Sequence, residues 1–193
     1  MATFAVLHTA PTELSPIRDA VSEYGISDLR LGYRIMTVSM GLAGLAAAVG
    51  VAITFRRSTG VAVPVGLLTA FGLSRLAMSW FPMDPPAAAR TRSGTRHVVL
   101  ALVTFVSITG AAFELQRLVA RTNNTSTEPT TGYATLLLWL SWVLIAAVTL
   151  TLATHELPAL RGYFGAAERL IYLATFALLL AIGTQLLWQT APA

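Results

Sequence analysis

The sequence predicts an all-α integral membrane protein: a bundle of five transmembrane helices preceded by a short interfacial N-terminal helix. Three observations carry this expectation. Of 193 residues, 55% are apolar and only 11% charged, against about 25% charged in soluble domains. Mean hydropathy is +0.67. Five stretches are apolar over about 20 residues, the length a helix needs to cross about 30 Å of hydrocarbon. Lipid offers the backbone no hydrogen-bond partners, so each stretch must satisfy its own as a helix; the alternating pattern of barrel strands is absent.

Residues 1–30 form the N-terminal segment, and residues 31–193 the transmembrane domain. The first 30 residues lack a basic n-region, and FAVL is too short for the apolar core of a signal peptide. SPIRDAVSEYG reads as a short helix, with Ser15 as N-cap, Pro16 in the first helical position and Gly25 as the stop. Ile17, Ala20, Val21 and Tyr24 share one face, as expected of a helix lying on the membrane or capping the bundle. Ser27 is then placed to cap the first span. The spans follow at about 31–55, 61–81, 98–120, 133–153 and 170–188. RRSTG is short enough to make the first two an antiparallel hairpin. TNNTSTEPTTG, between the third and fourth, reads as a polar, mobile loop. Gly44 and Ala48, and Ala46 and Gly50, give the first span small residues at four-residue spacing, which permits close helix approach.

Five spans sort the polar segments by membrane face. The face holding the N-terminal segment, called near, also holds the 82–97 and 154–168 loops. Nine of the 13 Arg, seven of the nine acids and all three His (His8, His97, His155) lie there. Chemistry is therefore expected at the near face. A net charge of +4 is too small and scattered for a nucleic-acid stripe. Zero Cys removes disulfides, thiolate metal sites and Cys nucleophiles. No two His show ligand spacing, and HELPAL lacks the second His of HExxH, so neither metal nor cofactor is expected.

The most informative loop is FPMDPPAAARTRSGTRH, residues 81–97. Pro82 and Pro85 stop the second span and hold Asp84 extended at the membrane boundary. Arg75, about two turns earlier, reaches the same boundary by snorkelling, and His97 opens the third span. Two readings stay open: a polar site of Arg75, Asp84 and His97, with Arg96 beside it, that takes a lipid headgroup, or an ion pair and cap closing two helices. In the second near-face cluster, His155 and Glu156 precede Pro158, and Glu168 and Arg169 open the last span. There a carboxylate suits the positive helix end, and Glu168 is in reach of Arg75 or the N-terminal helix. At the far face, Glu114 and Arg117 are three residues apart and able to pair. No charged relay crosses the midplane, which argues against a pump or proton-coupled transporter.

The run from ELSPIRDAVSEYG through the first two spans to FPMDP, together with Gly94 to His97 and the Glu168–Arg169 pair opening the last helix, resembles a bacterial and archaeal multi-pass membrane family, domain of unknown function number 998. The resemblance covers nearly the whole chain. It implies a prokaryotic cell membrane and a six-span bundle whose first helix is here missing or reduced to FAVL, leaving a lateral groove. A looser similarity in helix number and polar outer face to Frag/DRAM/Sfk-type proteins implies lipid-linked roles. The family architecture implies a near face outside the cell, whereas the Arg excess favours inside by the positive-inside rule. The functional expectation is a non-catalytic protein that binds membrane lipids, or docks into a larger membrane complex or homo-oligomer, through Arg75, Asp84, Arg96, His97, His155 and Arg169. The alternative is a membrane enzyme acting on a lipid headgroup, with Asp84 or Glu168 as acid/base and His97 as second proton carrier.

Overall fold

The computed structural model describes residues 2–86, 88–123 and 131–190. Among them there are no strands. Six α-helices, α1 (Ala2–Thr9), α2 (Arg30–Thr54), α3 (Ala62–Met78), α4 (Arg92–Asn123), α5 (Thr131–Glu156) and α6 (Phe164–Thr190), are joined by two short 3-10 helices, Val21–Ile26 and Pro158–Tyr163. Four helices (α2, α4, α5 and α6) are long and apolar enough to cross a membrane. The fifth expected span is shorter: α3 is an apolar helix of 17 residues, about 25 Å at 1.5 Å per residue. Of the expected 122–132 loop, residues 124–130 lie outside the described residues, while 122–123 belong to α4 and 131–132 to α5.

From α2 to α6 each helix packs against the next, and α6 returns to α2, so the bundle closes as a ring. Leucines and aromatics of the five helices fill the centre, while Leu102, Val106, Trp139 and Leu180 point outward and stay exposed, as lipid-facing residues must. The α2–α3 hairpin is the tightest seam. A Cβ at Gly41 would stand 2.9 Å from the Gly72 carbonyl, and one at Gly72 would stand 2.8 Å from the Gly41 carbonyl. Gly44 contributes as its spacing predicts; Gly41, outside that pattern, contributes as much.

The N-terminal segment departs from expectation. SPIRDAVSEYG is one turn, a break and a 3-10 helix. Ser15 does cap the turn: its hydroxyl accepts from Arg18 N–H at 3.4 Å, and its carbonyl from Asp19 N–H at 2.9 Å. Ala20 is then extended (ψ 148°), because its N–H goes to the Glu23 carboxylate (2.9 Å) and that of Val21 to Glu168 of α6 (2.6 Å). A carboxylate that takes the Val21 donor leaves no continuous helical ladder. Of the two expected placements, on the membrane or capping the bundle, its burial fits the second. Val21 and Tyr24 are fully buried in the bundle while Ile17 is exposed. The short helix lies further upstream, at α1. Ser27 does not cap α2 in the regular sense, since α2 begins at Arg30; its hydroxyl accepts from Leu29 N–H just ahead (3.1 Å).

Helix α1 covers the near end of the seam between α2 and α6. Phe4 lies 5.8 Å from the Tyr172 ring and 5.5 Å from Phe176, and buried Leu7 sits against Gly32. At the far end Gly50 abuts Leu186. The expected lateral groove is thus occupied near one face and closed near the other.

Candidate functional site

Polar side chains gather at the near end, where α2, α4 and α6 begin and α3 and α5 finish. Helix α3 stops at Met78, three residues short of the expected Phe81. The N–H groups of Ser79, Trp80 and Phe81 fold back in i→i−3 turns, which frees the next carbonyls for α4. His97 Nδ1–H donates to the Phe81 carbonyl at 2.8 Å and the Ser93 hydroxyl to the Pro82 carbonyl at 3.1 Å.

Asp84 accepts from Thr91 twice, from the hydroxyl at 2.6 Å and the N–H at 2.9 Å. These hydrogen bonds hold its carboxyl below the usual carboxylate range. The Thr91 hydroxyl in turn accepts from Gly94 N–H at 3.1 Å. A Cβ at Gly94 would overlap the Asp84 carboxylate, so only glycine lets this clamp close. Asp84 and His97 therefore meet at one turn but have separate partners.

Arg75 sits deeper and is 1% exposed. Its Nη1 donates to the Tyr172 hydroxyl at 3.2 Å, its guanidinium lies 5.0 Å over the Tyr172 ring, and Nη2 points to the Met40 sulfur at 3.4 Å. Its Nε, the Tyr33 hydroxyl and the Thr37 hydroxyl have no hydrogen-bond partner among the described residues. A space of about 10 Å³ beside it, bordered by Thr104, Tyr172 and Thr175, has the size of one water.

Glu168 and Arg169 lock the N-terminal segment to α6. Besides Glu168 and Val21, Arg169 Nη1 donates to the carbonyls of Asp19 (2.8 Å) and Gly165 (2.9 Å), Nη2 to the Tyr24 hydroxyl (3.4 Å) and Nε to His8 Nε2 (2.6 Å). His8 Nδ1 donates to the Phe4 carbonyl at 2.7 Å. Because a carbonyl only accepts, the proton is on Nδ1 and Nε2 is the free acceptor Arg169 needs. Burial pushes the His8 pKa below its ordinary 6.5, helped by the Arg169 charge and outweighing the Phe4 hydrogen bond.

The remaining candidates are on the surface. His155 pairs with Glu156 at 3.0 Å, both exposed. At the far face Glu114 pairs with Arg117 at 2.5 Å, as their spacing predicts. Arg96 lies 5.1 Å over the Phe81 ring. It also borders two adjoining open depressions. One, of about 330 Å³, is lined by Arg90, Thr91, Arg92, Thr95 and Arg96. The other, of about 350 Å³, is lined by Phe81, Thr95, Arg96, Val99 and Leu100. Arg90 and Arg92 are among the nine near-face Arg of the sequence but were not expected in the site, although the Arg92/Arg96 spacing of four residues was a legible signal of two cations on one helix face.

No curated protein and no solved structure matches the chain, so no match supports the looser likeness to Frag/DRAM/Sfk-type proteins. A family model described as protein of unknown function (DUF998) does match, over residues 1–185. With the SPI segment, the FPMDP turn and the Glu168–Arg169 lock all inside that match, this chain belongs to the DUF998 family.

Proposed function

We propose that this is a five-span, non-catalytic protein of a prokaryotic cell membrane that binds lipid through its near face. The observation that carries the reading is how the titratable near-face groups are held. Asp84 is taken by Thr91, His97 by the Phe81 carbonyl, and Glu168 by Val21 N–H. An enzyme needs such groups converging on one cavity, and here each is committed to its own structural partner. Arg34, 5.8 Å over the exposed Trp80, fits a membrane–water boundary at this level. Helix α3, wedged between two full-length helices, crosses as the fifth span, with its final turns completing the distance.

Native mass spectrometry of the full chain, gently extracted from its own membrane, tests the reading. Co-purifying lipid supports it. A stoichiometric protein partner with no lipid would make the chain a subunit instead, and a chain retaining neither would overturn lipid binding. The absence of Cys makes the fifth span directly testable. Single Ser58→Cys and Ala88→Cys variants are expected to react with an impermeant thiol reagent from opposite sides of the membrane. Labelling from the same side would mean that α3 does not cross.

A further inference from the structure

The start of α4 is electrostatically odd. The positive end of a helix dipole favours acids and disfavours cations, yet α4 has no acidic residue in its first turn and begins at Arg92. Arg90 precedes it and Arg96 follows one turn later, all three exposed. Arg92 and Arg96, four apart, repel each other along one face. None of the three forms an ion pair among the described residues. The nearest acid, Asp84, has both oxygens on Thr91. Three guanidiniums thus share a depression with the hydroxyl-bearing Thr91 and Thr95, and Asp84, whose charge reaches Arg90, is held by Thr91 and makes no ion pair with any of the three among the described residues.

The second depression gives the other half of a ligand. It continues from Thr95 and Arg96 along Phe81, Val99 and Leu100, on the flank where α4 becomes continuously apolar. Val99 and Leu102 are exposed there. A free phosphate would use only the first depression. A molecule with a phosphate at one end and a hydrocarbon chain at the other uses both.

We infer that the start of α4 is a binding site for an anionic phospholipid, its phosphate held by Arg90, Arg92 and Arg96 and one acyl chain lying along Phe81, Val99 and Leu100. This rests on the lipid-binding reading above and narrows it to a place and a headgroup charge. Arg is the suitable cation, since its planar fork can grip two phosphate oxygens at once. Arg96 has the central part: it lines both depressions, and its guanidinium lies over the Phe81 ring where the two meet.

The test is lipid titration of the delipidated full chain in detergent, read by native mass spectrometry, with phosphatidylglycerol and phosphatidylcholine as probes. Both probes carry the phosphate and phosphatidylcholine adds a cation that the three arginines repel, so wild type is expected to prefer phosphatidylglycerol by about tenfold. The Arg92→Gln/Arg96→Gln double variant is expected to lose that preference, and Arg90→Gln part of it. The far-face double variant Arg56→Gln/Arg57→Gln keeps it. Equal loss in the far-face variant would reduce the effect to overall charge and overturn the site. Inorganic phosphate binding as tightly as the lipid, or displacing it at equal concentration, would also overturn it, in favour of a free anion. Lipid bound without headgroup preference would overturn this site yet leave the broader reading standing. No bound lipid of either kind would remove both.

Discussion

Two arginine-bearing helix starts face the same side of the membrane and have opposite fates. At the start of α6, Arg169 is 8% exposed, and its guanidinium is consumed by two carbonyls, a tyrosine hydroxyl and an imidazole. At the start of α4, Arg90, Arg92 and Arg96 are exposed and have no carboxylate partner among the described residues. The residue type and the face are shared. What differs is what lies above: residues 8–24 are strapped across α6, while ahead of α4 Thr91 closes onto Asp84 and leaves the arginines open. An arginine covered by backbone carbonyls is a structural cross-link, and one left in the open has a charge still to be met.

The comparison breaks most directly at Arg169. Arg169→Ala orphans several buried acceptors, at about 1–3 kcal/mol for each one left without a partner. Thermal unfolding in detergent should show this as a large fall in Tm. Arg92→Ala, on an open surface, should stay within about 0.5 kcal/mol of wild type. Equal losses at the two sites would erase the distinction.

A smaller effect is expected at Glu168. Glu168→Ala strands the Val21 N–H at a cost of about 1–3 kcal/mol. Glu168→Gln keeps an oxygen to accept it and should recover most of that loss. If both variants unfold alike, the charge and not the acceptor holds the strap. At the open site, Gly94→Ala pushes the Asp84 carboxylate off Thr91, an overpacking cost of about 1–2 kcal/mol. That change should loosen the start of α4 while leaving the α6 lock intact. Faster amide exchange at 84–95, without change at 15–26, is the expected reading.

The smallest effect is on pH. The His8 pKa is lowered in the folded chain, so the fold favours its neutral form. Its contribution is complete above the ordinary imidazole value near 6.5 and is lost as pH falls from there through the lowered value. Tm should therefore decline on mild acidification, and His8→Gln should flatten that decline. An unchanged slope in the variant would show that His8 does not sense pH through Arg169.

Much of the scaffold was legible in residue order. Helices α2, α4, α5 and α6 were predicted within several residues, because long apolar runs leave the backbone no alternative in lipid. The Glu114–Arg117 pair was legible because three residues along a helix is a fixed geometry. The FPMDP turn was legible as a stop, since proline cannot continue a helix. Its partners were not: Asp84 was expected to face His97 or Arg75, and the local Thr91 took both its oxygens. Of the strap, residue order offered only that Glu168 was in reach of the N-terminal helix, which the Val21 N–H does meet; the contacts of Arg169 were not foreseen. Glu168 and Val21 are 147 residues apart, and Arg169 and His8 are 161 apart; no local pattern encodes such a pairing.

By itself the sequence determined the all-helical, membrane-compatible class of this protein and where its long apolar helices run. Those follow from helix length and from the cost of unsatisfied backbone in hydrocarbon, which act on each segment alone. Only the tertiary structure decided which arginines are spent and which are free. That depends on which distant carbonyls and hydroxyls arrive within about 3 Å of each guanidinium. A hydrogen bond acts only over that distance, and chain order does not specify it.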